Sequence, residues 1–385
     1  MQRRTFLQAV GGLCAGFQSL ARDNVSEGRL LHSNWMSAKW KIDPRCILPR
    51  GSKGEFDSRV VGDPCIVWDD EVATWRMFYF ASSYGDPGAA RADVAGMALS
   101  KSAEDIQPGD WRKIGQVLLS NPEDIAGSKQ GHKWWVVMDP KRMNHAARIA
   151  GSYWALFVTT GPKVIQAASA SRLAGPWTVV KEPILVPGTT PGAPDGKHCD
   201  TPTAYWSEDL AKALIFYKAY PLRAQPAQPH SPFGSSSVVA YWHPREASAA
   251  KGPQILLPGK GTAWNRGWIG GFQLLYAHDT KSWYSLTNGS PTPPEDISNR
   301  EPAPSLGGWG VCKASRPDHG WEVDTHHSPF AYPENLSEEE RRAGLGVNFW
   351  RHHLLATPGG RARIFFNSGT YGTEQMYSLV PQTAA

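Results

Sequence analysis

The sequence predicts an all-β protein: a five-bladed β-propeller, with four-stranded antiparallel blades around a central channel. Three observations carry that prediction. Apolar and aromatic runs of strand length recur throughout, while long helical periodicity is scarce. Gly and Pro, 38 and 31 of 385 residues, supply the turns that so many short strands need. One unit also repeats along the chain: an acid beside a proline, an aromatic strand, an Ala-x-Ser strand and a strand opened by tryptophan.

In the first unit Asp63-Pro64 precedes the apolar run Cys65 to Trp68, short enough for a buried strand. The polar turn Asp69-Asp70-Glu71 leads into Trp75 to Phe80, so the two runs read as a hairpin. Gly96 to Ser100 is the third strand and Trp111 opens the fourth. The second unit runs from Trp134 to Asp139-Pro140, then Tyr153 to Val158, Val164 to Ser169, and Gly175-Pro176-Trp177. The third begins His198-Cys199-Asp200-Thr201-Pro202 and continues with Leu214 to Tyr217 and Val238 to Trp242. The fourth is less regular: Gly271 to Tyr276, Trp283 to Leu286, Gly310 to Ser315, then Trp321. The fifth has Arg351 to Leu355, Ala362 to Asn367 and Glu374 to Leu379. Such a unit cannot bury both faces alone, and radial stacking of four-stranded units gives propeller blades. The Pro/Ser-rich segments 224–237 and 288–306 are expected to be surface insertions, and 333–344 a short helix between blades four and five.

Residues 1–21 read as a twin-arginine signal peptide: Arg3-Arg4-Thr5-Phe6-Leu7, a weakly apolar run, and small residues around Ala21. Residues 22–50 read as an N-terminal lead-in and 51–385 as the propeller. The expected address is periplasmic or secreted, with the twin-arginine translocase as a partner in export. Cleavage removes two arginines from a formal charge of +5, and the remaining basic residues are scattered, so no nucleic-acid footprint is expected. No later segment approaches the ~20 apolar residues of a membrane span, and no membrane anchor is expected after cleavage. The four remaining cysteines lack metal-ligand spacing, and their pairing is open.

In a propeller the starts of the innermost strands converge at one mouth of the channel. Asp63, Asp139 and Asp200 are expected to meet there. Crowded carboxyls repel one another and lose hydration, which moves their pKa values apart and lets a base and a protonated acid coexist. Glycoside hydrolysis uses such a pair. A single Asp-Pro also serves as a strand cap; it is the recurrence that points to a site. Asp57, Arg59, Trp134, His145, His198, Arg351 and His352 are the substrate-binding candidates. Arg59 could hold a substrate hydroxyl or carboxylate, or pair with Asp57; Trp134 could stack on a sugar face. No acidic cluster has the form of a calcium loop, so no metal or other cofactor is assigned.

These motifs resemble the five-bladed β-propeller glycosidases, above all glycoside hydrolase family 43, with relatives in families 32, 62, 117 and 130. The resemblance rests on Gly62-Asp63-Pro64, on Met138-Asp139-Pro140, and on Ser171 to Trp177 with its Gly-Pro-Trp ending. It implies that Asp63 is the general base and that Asp139 orients the acid and raises its pKa. It places the general acid at Asp200, where the family has Glu in Glu-x-Pro. Aspartate is one methylene shorter, so Glu374 is held as the reserve acid. The implied activity is inverting hydrolysis of a polysaccharide or oligosaccharide, with arabinose or xylose the expected sugars. Two alternatives stand beside it: phosphorolysis as in family 130, with Arg351-His352-His353 facing phosphate, and a carbohydrate-binding propeller without catalysis.

Overall fold

Each blade is built from hairpins whose turns repeat one geometry. Val60–Asp69 returns as Thr74–Ser82, with Trp68 opposite Trp75 and Asp69 opposite Thr74. The turn closes on Ala73, whose φ is +49°. The same turn closes on Ala211 (φ +48°) between His198–Ser207 and Lys212–Tyr220, and on Lys281 (φ +49°) between Trp268–Ala277 and Ser282–Ser290. The computed structural model describes residues 30–85, 93–103, 106–127, 131–161, 163–222, 234–259, 264–290, 307–331, 349–356, 362–369 and 372–382. The expected signal peptide, the expected helix at 333–344, and most of the two expected insertions lie outside those residues.

Five antiparallel sheets stand around one axis. Blade one is Val60–Asp69, Thr74–Ser82, Asp93–Ser100 and Trp111–Gln116. Blade two is Gly131–Val136, Ser152–Thr159, Ile165–Ala170 and Thr178–Val179, with the two-residue strand Arg148–Ile149 at its side. Blade three is His198–Ser207, Lys212–Tyr220, Ser236–Trp242 and Ala250–Leu256. Blade four is Trp268–Ala277, Ser282–Ser290, Gly308–Ala314 and Glu322–Val323. Blade five takes His352–Ala356, Ala362–Ser368 and Gln375–Pro381 from the end of the chain.

The fourth strand of blade five comes from the segment expected as a lead-in. Trp40–Leu48 pairs antiparallel with Gln375–Pro381, Trp40 opposite Pro381 and Ile42 opposite Leu379. The two ends of the described chain thus share one sheet, and the ring closes with main-chain hydrogen bonds. The first strand of each blade touches the first strands of its neighbours around the channel. Aromatic rings fill the seams between blades. Trp134 of blade two lies between Phe157 of its own blade (5.1 Å) and Phe78 of blade one (6.2 Å). Phe216 of blade three stacks on Phe272 of blade four at 4.4 Å. Cys65, Cys199 and Cys312 are buried free thiols in this packing, and burial pushes Cys65 up to about 12. Among the described residues no helix is long and apolar enough to cross a membrane.

Candidate active site

The inner strands share a local irregularity that aims their side chains. In blade one the pairing slips by one residue between Gly62 and Cys65. The same slip falls between His132 and Trp135 in blade two, Asp200 and Thr203 in blade three, and Ile269 and Phe272 in blade four. An extra residue of this kind bends the strand and redirects a side chain. At the slip Asp63, Lys133 and Thr201 have φ of +47°, +55° and +48°, a left-handed conformation that non-glycine residues rarely adopt. Strain repeated at one point of three blades marks the rim of a site. Aligned on the slip, Asp63, Lys133, Thr201 and Gly270 occupy equivalent positions, and Asp200 stands one residue earlier.

These residues line a cavity of about 310 Å³ at the mouth where the inner strands begin. Asp63, Asp200, Glu374 and Asp93 reach it, as do Lys133, Lys163, Lys218 and Arg351. Phe80, Tyr220, Trp268 and Trp350 supply apolar wall, and Asn288 and Asn367 amides. Trp268 and Trp350 lie nearly parallel, 10° apart, with ring centres at 6.5 Å. Of the expected carboxylates, Asp63, Asp200 and Glu374 are therefore brought to one pocket by blades one, three and five.

Two buried carboxyls of this pocket, Asp200 and Glu374, are tuned in opposite directions. Burial alone would raise Asp200, but Lys133 Nζ at 2.9 Å and Lys163 Nζ at 2.6 Å hold it well below the ordinary range. It also accepts the Thr201 N–H at 2.7 Å. Glu374 is 5% exposed, and burial, with the charge of Asp63 adding to it, pushes its carboxyl up to about 7. Its main chain is tied to blade one: the Val61 N–H donates to the Glu374 carbonyl at 3.1 Å. The Glu374 side chain accepts the Gly372 N–H at 2.9 Å. Asp63 is placed by its own N–H, which donates to Asn367 Oδ1 at 3.2 Å. Asp200 is thus held as a fixed anion, while Glu374 holds a proton into the neutral range.

Asp139 is not in this pocket. Met138-Asp139 lies past the far end of Gly131–Val136, and the Met138 N–H reaches the Ala204 carbonyl near the end of blade three's inner strand. Asp139 Oδ1 accepts the Lys141 and Arg142 N–H groups, a turn cap, and lines a separate depression with Trp206, Tyr276 and Arg316. The sequence motif marks the exit of the blade-two strand, and Lys133 stands where an acid was expected. His145 is at the same far mouth, its backbone bridged to Trp68 and Nδ1 donating to the Met143 carbonyl at 3.0 Å. Trp134 is consumed by blade packing and offers no sugar platform.

Asp57 is buried in blade one, held by Lys113 Nζ at 2.6 Å and the Tyr79 hydroxyl at 3.0 Å, so its ion pair is with Lys113. Arg59 anchors its N–H on the Ser82 carbonyl and leaves Nε buried without a partner. His198 packs edge-on against the pocket residue Tyr220 at 5.9 Å. His352 is buried, donates from Nε2 to the Leu286 carbonyl at 2.7 Å, and is pushed down to about 3 by burial; it braces blades four and five. Arg351 does line the pocket, stacked on the channel-side ring of Trp135 at 4.7 Å. His353, on the axis beside Trp135 and the Asn144 amide, is a buried neutral imidazole. Among the described residues no three His, Cys, Asp or Glu side chains gather as a metal site would need.

Sequence reading missed Lys133, Lys163, Lys218 and Trp268. Lys133 was within reach: His132-Lys133-Trp134 precedes an apolar run just as Gly62-Asp63-Pro64 does. Lys218 also left a mark, as a cation inside the otherwise apolar strand Leu214 to Tyr220.

Solved structures share this five-bladed ring, several of them described as glycoside hydrolases. One, described only as a glycoside hydrolase, superposes with a TM-score of 0.67 over 92% of this chain and 97% of its own, at 12% identity. A thermostable family-43 glycoside hydrolase gives 0.56 over 87% and 91%, at 14% identity. The catalytic domain of the Coprinopsis cinerea family-62 α-L-arabinofuranosidase gives 0.55 over 90% and 98%, at 9% identity. No protein-family model matches the chain, and no curated protein matches its sequence. At these identities the likeness is one of fold.

Proposed function

We propose that the pocket is the active site of a glycoside hydrolase, with Asp63 as general base and Glu374 as general acid. One observation carries this reading: a buried glutamate, pushed up to about 7 by burial, lines the same cavity as Asp63 at the mouth of a five-bladed ring. Asp63 takes a proton from water as that water attacks the anomeric carbon, and Glu374 delivers its proton to the departing oxygen. Single displacement needs the two carboxyls about 6.5–9.5 Å apart to admit the water. Trp350, half-buried in the pocket wall, offers a ring to the sugar. Acid–base hydrolysis of this kind needs only water and two carboxyls, so no cofactor is invoked. Asp200 moves from the role of acid to that of a fixed charge positioning Lys133 and Lys163.

Arabinose- and xylose-containing glycans belong in the substrate screen on the strength of the resemblance, beside mannose-, galactose- and uronate-containing ones. Export by the twin-arginine translocase to the periplasm or beyond is proposed from residues 1–21. The test is hydrolysis of that panel by the wild type and by Asp63→Asn and Glu374→Gln, with the product anomer read by NMR. Inverted product from the wild type and loss of turnover in both variants support the reading; undiminished turnover in Asp63→Asn overturns it. A second reading, sugar binding without turnover, is favoured by Lys133 and the clamped Asp200 at two positions where the resemblance expects working acids. Tight glycan binding with no product over long incubation would establish it.

A further inference from the structure

One wall of the pocket holds cationic groups that the acid–base chemistry does not use. Arg351 is 3% exposed, yet only its Nη2 has an acceptor, the Pro202 carbonyl at 2.6 Å. Its Nε and Nη1 are buried without a hydrogen-bond partner. Lys218 is 9% exposed and sits over the Trp268 ring at 3.6 Å and near the Tyr220 ring at 4.9 Å. It makes no ion pair among the described residues, and burial pushes it down to about 7. Trp268 Nε1, a further donor, is also buried without a partner. Leaving donors and cations unpaired in a buried wall is costly, and the cost is relieved when an acceptor arrives.

The charge balance says how much negative charge the wall can take. Four cations, Lys133, Lys163, Lys218 and Arg351, line the cavity with four carboxyls, Asp63, Asp93, Asp200 and Glu374. Lys133 and Lys163 are consumed by Asp200. Glu374 keeps its proton up to about pH 7. Over the whole cavity four cations then face three anions, an excess of one positive charge.

We propose that Lys218 and Arg351 form an anion subsite and that the sugar residue taken by the pocket carries a carboxylate, as a uronic acid does. The proposal rests on reading the pocket as a carbohydrate site and specifies the class of sugar. The carboxylate accepts from Arg351 Nε or Nη1 and from Lys218 Nζ, and its charge returns Lys218 to the ammonium form. The Trp268 ring beneath Lys218 keeps water from screening the pair. Asn288 Oδ1, a buried acceptor without a partner in the same cavity, is free to take a sugar hydroxyl.

The test is calorimetric binding to the mature protein of D-glucuronate and D-galacturonate, each against its neutral counterpart, D-glucose and D-galactose. Inorganic phosphate and a sulfated monosaccharide serve as competing anions. The uronates should bind about tenfold more tightly than the neutral sugars. That preference should fall below about threefold in Lys218→Met and in Arg351→Met, each checked for folding by circular dichroism, and it should weaken with added salt. Equal binding of acidic and neutral sugars by the wild type overturns the proposal, and needs no variant to fold. Tighter binding of phosphate or the sulfated sugar than of either uronate also overturns it. The measurement is independent of turnover: uronate preference without hydrolysis removes only the hydrolase reading, and hydrolysis without uronate preference removes only the subsite.

Discussion

Asp200 and Glu374 are both buried carboxyls in one pocket, contributed by blades three and five, and their surroundings drive them apart. Around Asp200 blade two supplies two ammonium groups, Lys133 and Lys163, within 2.6–2.9 Å. Around Glu374 burial dominates, with the negative Asp63 adding to it and loop amides and the charge of Lys133 opposing it more weakly. The residue type does not decide which carboxyl donates a proton; the charge of the neighbouring blade does. Asp200 reaches the mouth at the bulge of its inner strand and Glu374 from the loop before Gln375–Pro381, and the partner across the seam assigns each its role.

The largest effect expected is at Asp63. Asp63→Asn removes the base and should lower turnover by about 10³-fold, read as kcat on whichever glycan the wild type cleaves. Glu374→Gln should cost about 10²-fold with a natural leaving group. It should also abolish the alkaline limb, near pH 7, of the wild-type pH–rate profile. A profile that keeps its limb in Glu374→Gln would reassign the acid. Both substitutions are close in shape to the original, so a folded, inactive protein is the expected product.

Stability against pH separates the same two residues with opposite signs. Glu374 has a folded pKa raised above its unfolded value, so its contribution is full below about pH 4.5 and is lost as pH rises through about 7. The loss is roughly 3 kcal/mol, and denaturant titrations of Glu374→Gln should lack it. Asp200 has a depressed folded pKa, so its contribution is present above about pH 4 and is lost as pH falls through the folded value. Asp200→Asn leaves two lysines uncompensated and should cost about 3 kcal/mol at neutral pH by urea unfolding. If Asp200→Asn left stability unchanged while abolishing turnover, Asp200 would be chemical rather than structural.

The smallest effect is expected at Asp139. Asp139→Asn alters a solvated turn at the far mouth and should leave kcat within about twofold and stability within about 0.5 kcal/mol. A hundredfold loss there would restore the sequence expectation against the geometry.

Chain composition and local pattern were enough to count the blades. Continuous apolar runs such as Cys65 to Trp68 and Leu214 to Tyr217 have the length of buried strands, and tryptophans recur at the seams. Asp63 and Glu374 were also visible, because each stands just ahead of such a run. Three matters were out of reach of local pattern. Trp40–Leu48 finds its partner more than three hundred residues away, and only closure of the ring says that an edge is waiting for it. The aspartate of Met138-Asp139-Pro140 marks the exit of its strand, because both ends of a strand can carry an acid and a proline. Which end faces the pocket depends on the extra residue at His132 to Trp135, and that slip exists only in the paired sheet. The convergence of Lys133, Lys163, Lys218 and Arg351 on one cavity is likewise a product of the ring, which brings the strand ends of blades two, three and five together. Local sequence specifies a strand because side-chain alternation is a short-range property; protonation states belong to tertiary structure, because they are set by charges that arrive from other blades.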